Sequence, residues 1–224
     1  MKAVSKRALN LVITAGPTRE YIDPVRYLSN ESSGKMGFAI AAAAVARGHK
    51  VTLIAGPVHL ETPAGVERID VVSAREMLAA LKEAFLPADG LIMAAAVADY
   101  RPARRLAGKW KKKSGPRDTR ISLDLVENPD LLATVGRRKG PRRIMGFALE
   151  TSDGRRRALE KMLRKNADCI ALNGASALNA DRTSVTLLAR DGREQLFANQ
   201  TKAQVAKVLV RVMEELCVSP IGEA

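Results

Sequence analysis

Residues 26–37 read RYLSNESSGKMG and lead directly into the alanine-rich segment of residues 38–46, FAIAAAAVA. A polar loop placed before a helix leaves several backbone N–H groups without partners, and together with the helix dipole these groups favour an anion such as a phosphate. The glycines of this loop, Gly34 and Gly37, let the backbone approach a ligand closely, while its serines and lysine add hydroxyls and a cation. The loop is therefore a candidate phosphate-binding site, and an ordinary helix N-terminus with a serine cap fits the same spacing.

The segments around this loop predict an α/β fold. Before it, the β-branched run of residues 9–14 indicates a buried strand, and after it the helix ends before Gly48. Apolar strand-like segments recur at residues 51–55 and 90–95, and a capping box at residues 73–76 begins the helix between them. This rhythm favours right-handed βαβ units, so we expect a Rossmann-like, mostly parallel sheet with helices on both faces.

The second half of the chain continues this pattern after one interruption. Residues 97–126 are basic and contain Gly and Pro, and we expect a projecting arm or flap there, with a half-exposed strand at residues 121–126. Next, Asn128 as N-cap and Pro129 as first residue predict a helix to about residue 135. The remaining expected elements are strands at 144–148 and 167–173, a basic helix at 155–165, a C-terminal hairpin turned at Asp191-Gly192, and a last helix from Thr201 to about Cys217.

Length and composition bound the class of protein. The 224 residues suffice for one domain, which we place at residues 9–218 after an N-terminal tail or linker remnant at residues 1–8. The longest apolar run is far too short to span a bilayer, and the N-terminus lacks a hydrophobic segment of signal-peptide type, so we expect a cytoplasmic protein without a membrane partner. Cys169 and Cys217 lie far apart in sequence, which favours buried thiols over a zinc site or a disulfide framework.

The formal net charge of +13 leaves two classes of partner open. A nucleic acid is one, and small, multiply charged phosphate ligands steered by the same field are the other. Aromatic residues make up only 4% of the chain, so few are available to stack on single-stranded bases. A nucleic-acid-binding module therefore remains an alternative, with tight and salt-sensitive binding to DNA or RNA as its signature.

An NAD(P)-dependent oxidoreductase is the other alternative for a βαβ chain. It requires a tight Gly-x-Gly-x-x-Gly after the first strand and an acidic residue at the end of the second strand. Here the first strand ends in Gly16-Pro17-Thr18, the next glycines come much later, and the second strand ends in Ala55-Gly56-Pro57 without an acid. We reject this interpretation.

Three segments converge where ligands bind in open sheets, beyond the carboxyl ends of the strands. They are residues 16–37, residues 94–113, and Phe147 with the helix that carries Lys161 and Lys165. These two lysines are four residues apart and share a helix face, so they either grip a ligand together or form a solvated basic face. Asp99 could bind a ribose, an amine or a hydrated Mg²⁺ ion, or could cap a loop.

Seven motifs in the same order resemble bacterial phosphopantothenate-cysteine ligase, also called phosphopantothenoylcysteine synthetase, the ligase domain of the bifunctional coenzyme A biosynthesis protein. The resemblance covers nearly the whole chain from Leu9 to the last helix. The motifs are AGPTRE at 15–20, DPVRYLSN at 23–30, SSGKMG at 32–37, AAAVADY at 94–100, NPD at 128–130, Gly146-Phe147 with Glu150-Thr151, and Lys165-Asn166.

The resemblance implies a two-step ligation that uses CTP as co-substrate and Mg²⁺ as cofactor. The carboxylate of 4'-phosphopantothenate attacks the α-phosphate of CTP to give an acyl-cytidylate and pyrophosphate. The amine of L-cysteine then attacks the acyl group to give the amide and CMP. Chemistry of this kind depends mainly on positioning two anions and neutralising developing charge, which fits the basic composition.

Site residues follow from the matched motifs. By resemblance, Lys109 is the lysine needed to form the acyl-cytidylate, Asn30 is the asparagine that binds the acyl-phosphate intermediate, and Arg26 is a substrate-binding arginine that reaches across a dimer interface. We assign Gly34 and Ala95, beside Asn30, to the acid substrate. The expected nucleotide-binding residues are Gly16, Ser32, Met93, Ala94, Ala95, Asp99, Lys109, Asn128, Pro129, Asp130, Leu131, Phe147, Lys161 and Lys165.

The resemblance also implies a homodimer in which the arm pairs subunits and folds over the site. Bacterial members of the family are commonly fused behind a flavin-dependent decarboxylase, so this chain is either a separate ligase domain or part of a longer protein. Residues 174–184 carry little that matches the family, and we assign them no function.

Overall fold

An eight-stranded sheet forms the centre of the protein in a computed structural model that describes residues 7–111, 122–150, 153–174 and 182–218. Its strands are joined by five helices in this part of the chain. The described residues form twelve strands, eight in this sheet and four in two separate ribbons. They are β1 (Asn10–Ala15), β2 (Arg19–Tyr21), β3 (Tyr27–Ser29), β4 (Lys50–Ala55), β5 (Val66–Asp70), β6 (Gly90–Met93), β7 (Tyr100–Pro102), β8 (Leu125–Glu127), β9 (Arg143–Glu150), β10 (Cys169–Gly174), β11 (Arg182–Ala189) and β12 (Glu194–Thr201). The helices are α1 (Lys35–Val45), α2 (Ala74–Ala84), α3 (Leu131–Gly136), α4 (Gly154–Arg164) and α5 (Lys202–Val218).

The strand order of the sheet is β12-β11-β10-β9-β6-β1-β4-β5. The six strands from β10 to β5 are parallel, and β11 and β12 extend the sheet as an antiparallel hairpin. The chain passes from β1 to one side and returns to the other side at β6. The expected α/β fold with a mostly parallel sheet and a C-terminal hairpin is confirmed.

Helices cover both faces of the sheet, as the sequence predicts. On one face α1 and α5 pack against each other and against the sheet, around buried residues such as Ile13, Ile40 and Leu209. On the other face α2, α3 and α4 bury a second cluster that includes Met77 and Leu91. Aliphatic side chains and alanine make up most of both clusters, in keeping with the low aromatic content of the chain.

The hairpin and the helix caps follow the predicted turn chemistry. Gly192 lies at the turn between β11 and β12 with φ of 87°, a left-handed conformation that glycine adopts readily. Ser73 caps α2 by accepting a hydrogen bond from the N–H of Glu76, and Thr201 caps α5 by accepting one from Gln204. The start of α3 differs from expectation, because Asp130 rather than Asn128 is its N-cap and accepts a hydrogen bond from Ala133.

The sequence analysis missed an edge strand and three of the four strands in two small antiparallel ribbons, and it misplaced the fourth. β2 pairs with β3 within the segment expected to be a loop, and β5 forms a half-exposed edge of the main sheet. In the arm β7 pairs with β8, which begins at Leu125, four residues later than the strand expected from residue 121. Parts of the expected arm (residues 112–121), of the N-terminal tail (residues 1–6) and of the unassigned loop (residues 175–181), together with Thr151 of the quoted motif, lie outside the described residues.

Candidate functional site

The carboxyl ends of β1 and β6 form the point where the strand order reverses. β1 lies between β6 and β4, and the connections that follow β1 and β6 leave the sheet on opposite sides. In open α/β sheets this crevice is where ligands bind. The α1 loop follows β1, and residues 94–99 follow β6, so the topology brings the expected site segments to the same edge.

Hydrogen bonds hold the two loops together at this edge. The N–H of Ala96 donates to the carbonyl of Gly16 at 2.9 Å, and the hydroxyl of Thr18 accepts from the N–H of Ala98 at 3.0 Å. The side-chain amide of Asn30 donates to the carbonyl of Val97 at 2.9 Å. Asn30 is therefore fixed against the segment that follows β6, although its side chain is exposed.

The N-terminus of α1 has the open character expected of an anion site. Gly34, its N-cap residue, has φ of 74°, and the first turn of the helix contains no acidic residue. The hydroxyl of Ser32 accepts a hydrogen bond from the N–H of Gly34 at 3.3 Å, but Gly34 itself provides no side-chain cap, so the N–H groups of the first helical turn are left available to an anion.

Gly37 has a packing role that the sequence analysis did not predict. A Cβ at Gly37 would lie 2.5 Å from the Cβ of Ala15, so its missing side chain allows α1 to pack closely on β1. This contact requires glycine here independently of any approach to a ligand.

Two adjoining clefts open at this edge of the sheet. The first, called the α1 cleft, has a volume of about 550 Å³ and is lined by residues 30–37, residues 94–97, Asp99, residues 147–149, Lys161, Asn173, Thr183 and Lys202. The second, called the α3 cleft, has a volume of about 430 Å³ and is lined by Met93, Ala95, residues 97–100, residues 127–132, Phe147, Lys161, Arg164 and Lys165.

Charged groups in the α3 cleft are held by defined partners. The ammonium group of Lys165 lies 2.9 Å from a carboxylate oxygen of Asp130, and Lys161 donates to the carbonyl of Phe147 at 2.7 Å. Burial acts to raise the pKa of the Asp130 carboxyl, but the N–H of Ala133 and the two lysines outweigh it and hold that pKa below its usual 3.8. Asp130 is therefore ionised at neutral pH and keeps Lys165 directed into the cleft.

Most of the expected site residues line one or both clefts. Four of them line both: Ala95, Asp99, Phe147 and Lys161. The α1 cleft alone takes Asn30, Ser32, Gly34 and Ala94. The α3 cleft alone takes Met93, Asn128, Pro129, Asp130, Leu131 and Lys165.

Three expected residues lie outside both clefts in the described part of a single chain: Gly16, Arg26 and Lys109. Gly16 has φ of 75° and approaches Gly34 closely, so it shapes the turn beside the α1 cleft. Arg26 donates to the carbonyl of Trp110, and the carboxylate of Asp23 accepts from the N–H of Trp110. These bonds tie the arm to the loop before α1, and Lys109 is exposed beside them.

Sequence reasoning missed several polar residues that line the clefts, among them Arg164, Asn173, Thr183 and Lys202. Asn173 stands near the carboxyl end of β10, so the rule that points to strand ends could have found it. Thr183 and Lys202 come from β11 and α5, which reach the site through the antiparallel extension of the sheet. No motif or spacing marks them in the sequence.

The described residues contain no group of three or more His, Cys, Asp or Glu side chains that could bind a metal ion without a further ligand. Asp99 is exposed at the junction of the two clefts. A single carboxylate beside a phosphate site is the usual protein contribution to Mg²⁺ that is bound mainly by phosphate oxygens. Asp99 therefore fits this kind of ion.

The cysteines have no part in either cleft. Cys169 is buried and Cys217 is half-buried, and burial raises the pKa of each thiol to about 12. Such thiols are protonated and unreactive at neutral pH. Separately, a search of the described helices found none with the length and apolar character needed to cross a bilayer.

Comparisons with known proteins identify close relatives of this chain. The family described as DNA/pantothenate metabolism flavoprotein C-terminal domain matches residues 7–216. The coenzyme A biosynthesis bifunctional protein CoaBC of Haemophilus influenzae is 47% identical over 213 residues, which are 93% of this chain and 52% of that protein. The protein of the same name from Escherichia coli K12 is 47% identical over 193 residues, which are 84% of this chain and 47% of that protein. The chain thus spans about half the length of the curated relatives it matches.

A solved structure agrees with the fold over almost the whole chain. The crystal structure of the C-terminal domain of coenzyme A biosynthesis bifunctional protein CoaBC superposes with a TM-score of 0.81 at 36% sequence identity. The superposition covers 96% of this chain and 98% of that domain. The similarity therefore concerns the C-terminal domain of the longer relatives.

Proposed function

Since the chain belongs to the family of DNA/pantothenate metabolism flavoprotein C-terminal domains, we propose that it ligates 4'-phosphopantothenate to L-cysteine at the expense of CTP. The products are 4'-phosphopantothenoyl-L-cysteine, CMP and pyrophosphate. The ligase acts in coenzyme A biosynthesis, the process for which the relatives are named.

The observation that carries this proposal is the meeting of two clefts at a shared set of residues. Ala95, Asp99, Phe147 and Lys161 line both clefts. A reaction between two bound molecules requires one such junction, because orientation of the reacting atoms supplies much of the rate enhancement. We assign the nucleoside to the α3 cleft, and the junction to the α-phosphate and the carboxylate that attacks it.

In the first step a carboxylate oxygen of the acid attacks the α-phosphorus of CTP, and pyrophosphate leaves. Both reactants are anions, so cations at the junction lower the barrier by neutralising the charge that develops on the phosphate oxygens. Lys161 supplies such a cation at the junction, and Lys165 supplies a second one in the α3 cleft. We assign a third to Lys109, which is exposed in the arm and reaches the nucleotide when the arm folds over the site.

In the second step the amine of L-cysteine attacks the acyl carbon, loses a proton, and displaces CMP. Asn30 is the residue we assign to the acyl-cytidylate. Its bond to Val97 uses one of its two amide protons, which leaves the other proton and the amide oxygen for the bound intermediate. A rigidly held amide of this kind can orient the intermediate for the incoming amine.

Magnesium would be bound mainly by the triphosphate, with Asp99 as the protein carboxylate. When bound, Mg²⁺ neutralises phosphate charge and favours the departure of pyrophosphate.

The nucleoside of CTP is assigned to residues 128–131, which include Asn128 and Asp130. We make this assignment because the backbone and side chains of these residues line the α3 cleft.

The larger assembly is also part of the proposal. We infer a single ligase domain at residues 9–218, with residues 97–126 as an arm at the interface of a cytoplasmic homodimer. Across that interface Arg26 would reach the acid substrate of the partner subunit, which fits its position outside both clefts of its own chain. Because the curated relatives are bifunctional and about twice as long, a flavin-dependent decarboxylase is the expected fused or separate partner.

Pyrophosphate release tests this function directly. The protein is incubated with 4'-phosphopantothenate, L-cysteine and Mg²⁺, together with CTP, ATP, GTP or UTP in parallel samples. We expect pyrophosphate and CMP with CTP, and a product with the mass of the cysteine amide. Absence of pyrophosphate with every nucleotide would refute the proposal, and release with ATP alone would refute the assignment of CTP.

A further inference from the structure

Polar side chains from the antiparallel end of the sheet close one side of the α1 cleft. Thr183 lies near the start of β11, Lys202 is the first residue of α5, and Asn173 stands near the end of β10. All three line the cleft together with the N-terminus of α1. The proposed function uses none of them.

Two polar atoms in this wall are buried without partners. Thr183 is only 5% exposed, and its hydroxyl oxygen has no hydrogen-bond partner among the described residues. The amide oxygen of Asn173 is likewise buried and has no hydrogen-bond partner among the described residues. An unpaired buried polar group is costly, so such groups in the wall of a cleft indicate a ligand that pairs with them when it binds.

The local structure directs these side chains to the same place. Thr183 pairs with Gln200, two residues before Lys202, and the register of the ladder shifts between Thr183 and Val185. A register shift interrupts the regular ladder, and irregularities of this type, such as β-bulges, re-aim side chains and occur frequently beside active sites. A capping box between Thr201 and Gln204 fixes the first turn of α5 and with it the position of Lys202.

The charge of the cleft favours an anion. Lys202 is half-buried in the wall, and Lys35 and Lys161 supply two further cations. The N-terminus of α1 adds its unpaired N–H groups and the positive end of its dipole. Two carboxylates, those of Glu31 and Asp99, also line the cleft and offset part of this positive charge.

We propose that Thr183 and Lys202, together with the N-terminus of α1, bind a phosphate group of one of the two phosphorylated substrates. The inference rests on the proposed function, because that function supplies the ligands. The Thr183 hydroxyl and the Lys202 ammonium donate to phosphate oxygens, and the Asn173 amide oxygen accepts from a hydroxyl, an amide N–H or a water on the same ligand. The phosphate belongs either to the triphosphate tail of CTP or to the 4'-phosphate of the acid.

The test compares Thr183→Val and Lys202→Met with matched control variants. Thr186→Val removes a threonine hydroxyl from the same strand, and Lys207→Met removes an exposed lysine from the same helix. KM is measured separately for CTP and for 4'-phosphopantothenate, and calorimetry measures the binding of inorganic pyrophosphate and of 4'-phosphopantothenate. Thermal unfolding verifies that each variant is folded, and Thr183→Ala, which also removes the hydroxyl, replaces Thr183→Val if that variant fails to fold.

Both site variants should raise KM for the same substrate by about tenfold or more, the factor for losing a hydrogen bond to a charged group, while the controls change it by less than about twofold. A rise in KM for CTP with weaker pyrophosphate binding identifies the triphosphate tail. A rise in KM for 4'-phosphopantothenate identifies the 4'-phosphate. Unchanged KM values for both substrates, or a different substrate affected by each variant, would overturn the inference.

The calorimetric measurement separates this inference from the proposed function. If the wild-type protein binds pyrophosphate and the site variants do not, the phosphate site exists even where no turnover is found. If turnover with CTP is found and the variants bind and react like the wild type, the function stands and this phosphate site is rejected.

Discussion

At the scale of single residues, identical residue types have different roles in this protein. Gly34 adopts a left-handed conformation at the open end of α1, whereas Gly37, three residues later, lets the helix contact β1. Sequence reasoning assigned both glycines to ligand approach. It could not find the packing role of Gly37, because the contact between Gly37 and Ala15 depends on how the helix lies on the sheet.

Gly37→Ala should destabilise the protein. The added Cβ would lie 2.5 Å from the Cβ of Ala15, so α1 must shift away from the sheet, at a cost of about 1–3 kcal/mol in the free energy of unfolding. Urea unfolding measures this cost. Gly108→Ala is the control, since no described atom lies within 4 Å of its added Cβ, and an equal effect of the two variants would contradict the packing role.

Asn30 and Lys109 should affect different steps of the reaction. Asn30→Asp places a carboxylate beside the intermediate and should let the acyl-cytidylate accumulate, because the first step proceeds and the second is slowed. Lys109→Gln removes the cation that we propose is needed to form the intermediate, and should therefore prevent its appearance. Rapid quench and mass spectrometry detect the intermediate, and the same pattern in both variants would show that the roles are wrongly assigned.

At the scale of secondary structure, the elements with local signals were predicted and those without them were not. The capping boxes at Ser73 and Thr201 and the turn at Gly192 specify local hydrogen bonds or backbone conformations, so their elements were found. β5 was missed because an edge strand with half-exposed residues has weak apolar patterning. The start of α3 was misplaced because Asn128 bonds to the loop after β6 instead of capping the helix.

Glu214 of α5 links this helix to the turn that follows α1 through contacts that no local sequence pattern predicts. The carboxylate of Glu214 accepts two hydrogen bonds from Arg47, at 2.6 and 2.7 Å, and its oxygen lies 2.8 Å from Nε2 of His49. Because Nδ1 of His49 accepts from the N–H of Leu9, the ring proton is placed on Nε2, and this N–H group donates a hydrogen bond to the Glu214 carboxylate. These residues are more than 160 positions apart in sequence, with separations of 167 and 165.

Glu214→Ala should weaken the contact between α1 and α5. The substitution removes the carboxylate that pairs with the His49 ring and with the partly exposed Arg47 side chain. We expect this loss to lower the free energy of unfolding by about 2 kcal/mol. Denaturant unfolding with Glu215→Ala as control measures the difference, since Glu215 is exposed on the same helix and its removal should cost less than about 1 kcal/mol. Equal costs for the two variants would show that the buried pair contributes nothing.

The attachment of the arm to the loop before α1 should depend on pH. The buried carboxylate of Asp23 accepts from the N–H groups of Val25, Arg26 and Trp110. Burial acts to raise the pKa of Asp23, but these bonds and the Arg26 charge outweigh it, so the folded pKa lies below the ordinary value of 3.8. A lowered folded pKa means that this stabilisation is present above 3.8 and is lost as the pH falls through the folded pKa.

Asp23→Asn makes this pH dependence measurable. The difference in free energy of unfolding between wild type and variant should stay constant from pH 7 down to about pH 5 and shrink at more acid values. Denaturant titrations at a series of pH values measure it. A difference that grows as the pH falls would contradict the assigned sign.

At the scale of the whole molecule, the strand order explains why distant motifs form one site. Parallel strands direct their carboxyl ends to the same edge, so the segments after β1, β6 and β9 meet there. The sequence predicted this convergence from the alternation of strands and helices alone. It could not predict the contribution of β11 and α5, because an antiparallel extension adds residues to that edge without a motif.

The most direct test of the account is exchange of labelled pyrophosphate into CTP. If the two clefts hold CTP and 4'-phosphopantothenate with carboxylate and α-phosphate at their junction, the first step is reversible and needs no cysteine. We predict exchange that requires 4'-phosphopantothenate and Mg²⁺, proceeds without L-cysteine, and is strongly reduced by Lys161→Ala, which removes the cation shared by both clefts. Exchange that proceeds without the acid, or no exchange while the protein binds both ligands, would contradict the claim that the two substrates meet in this site.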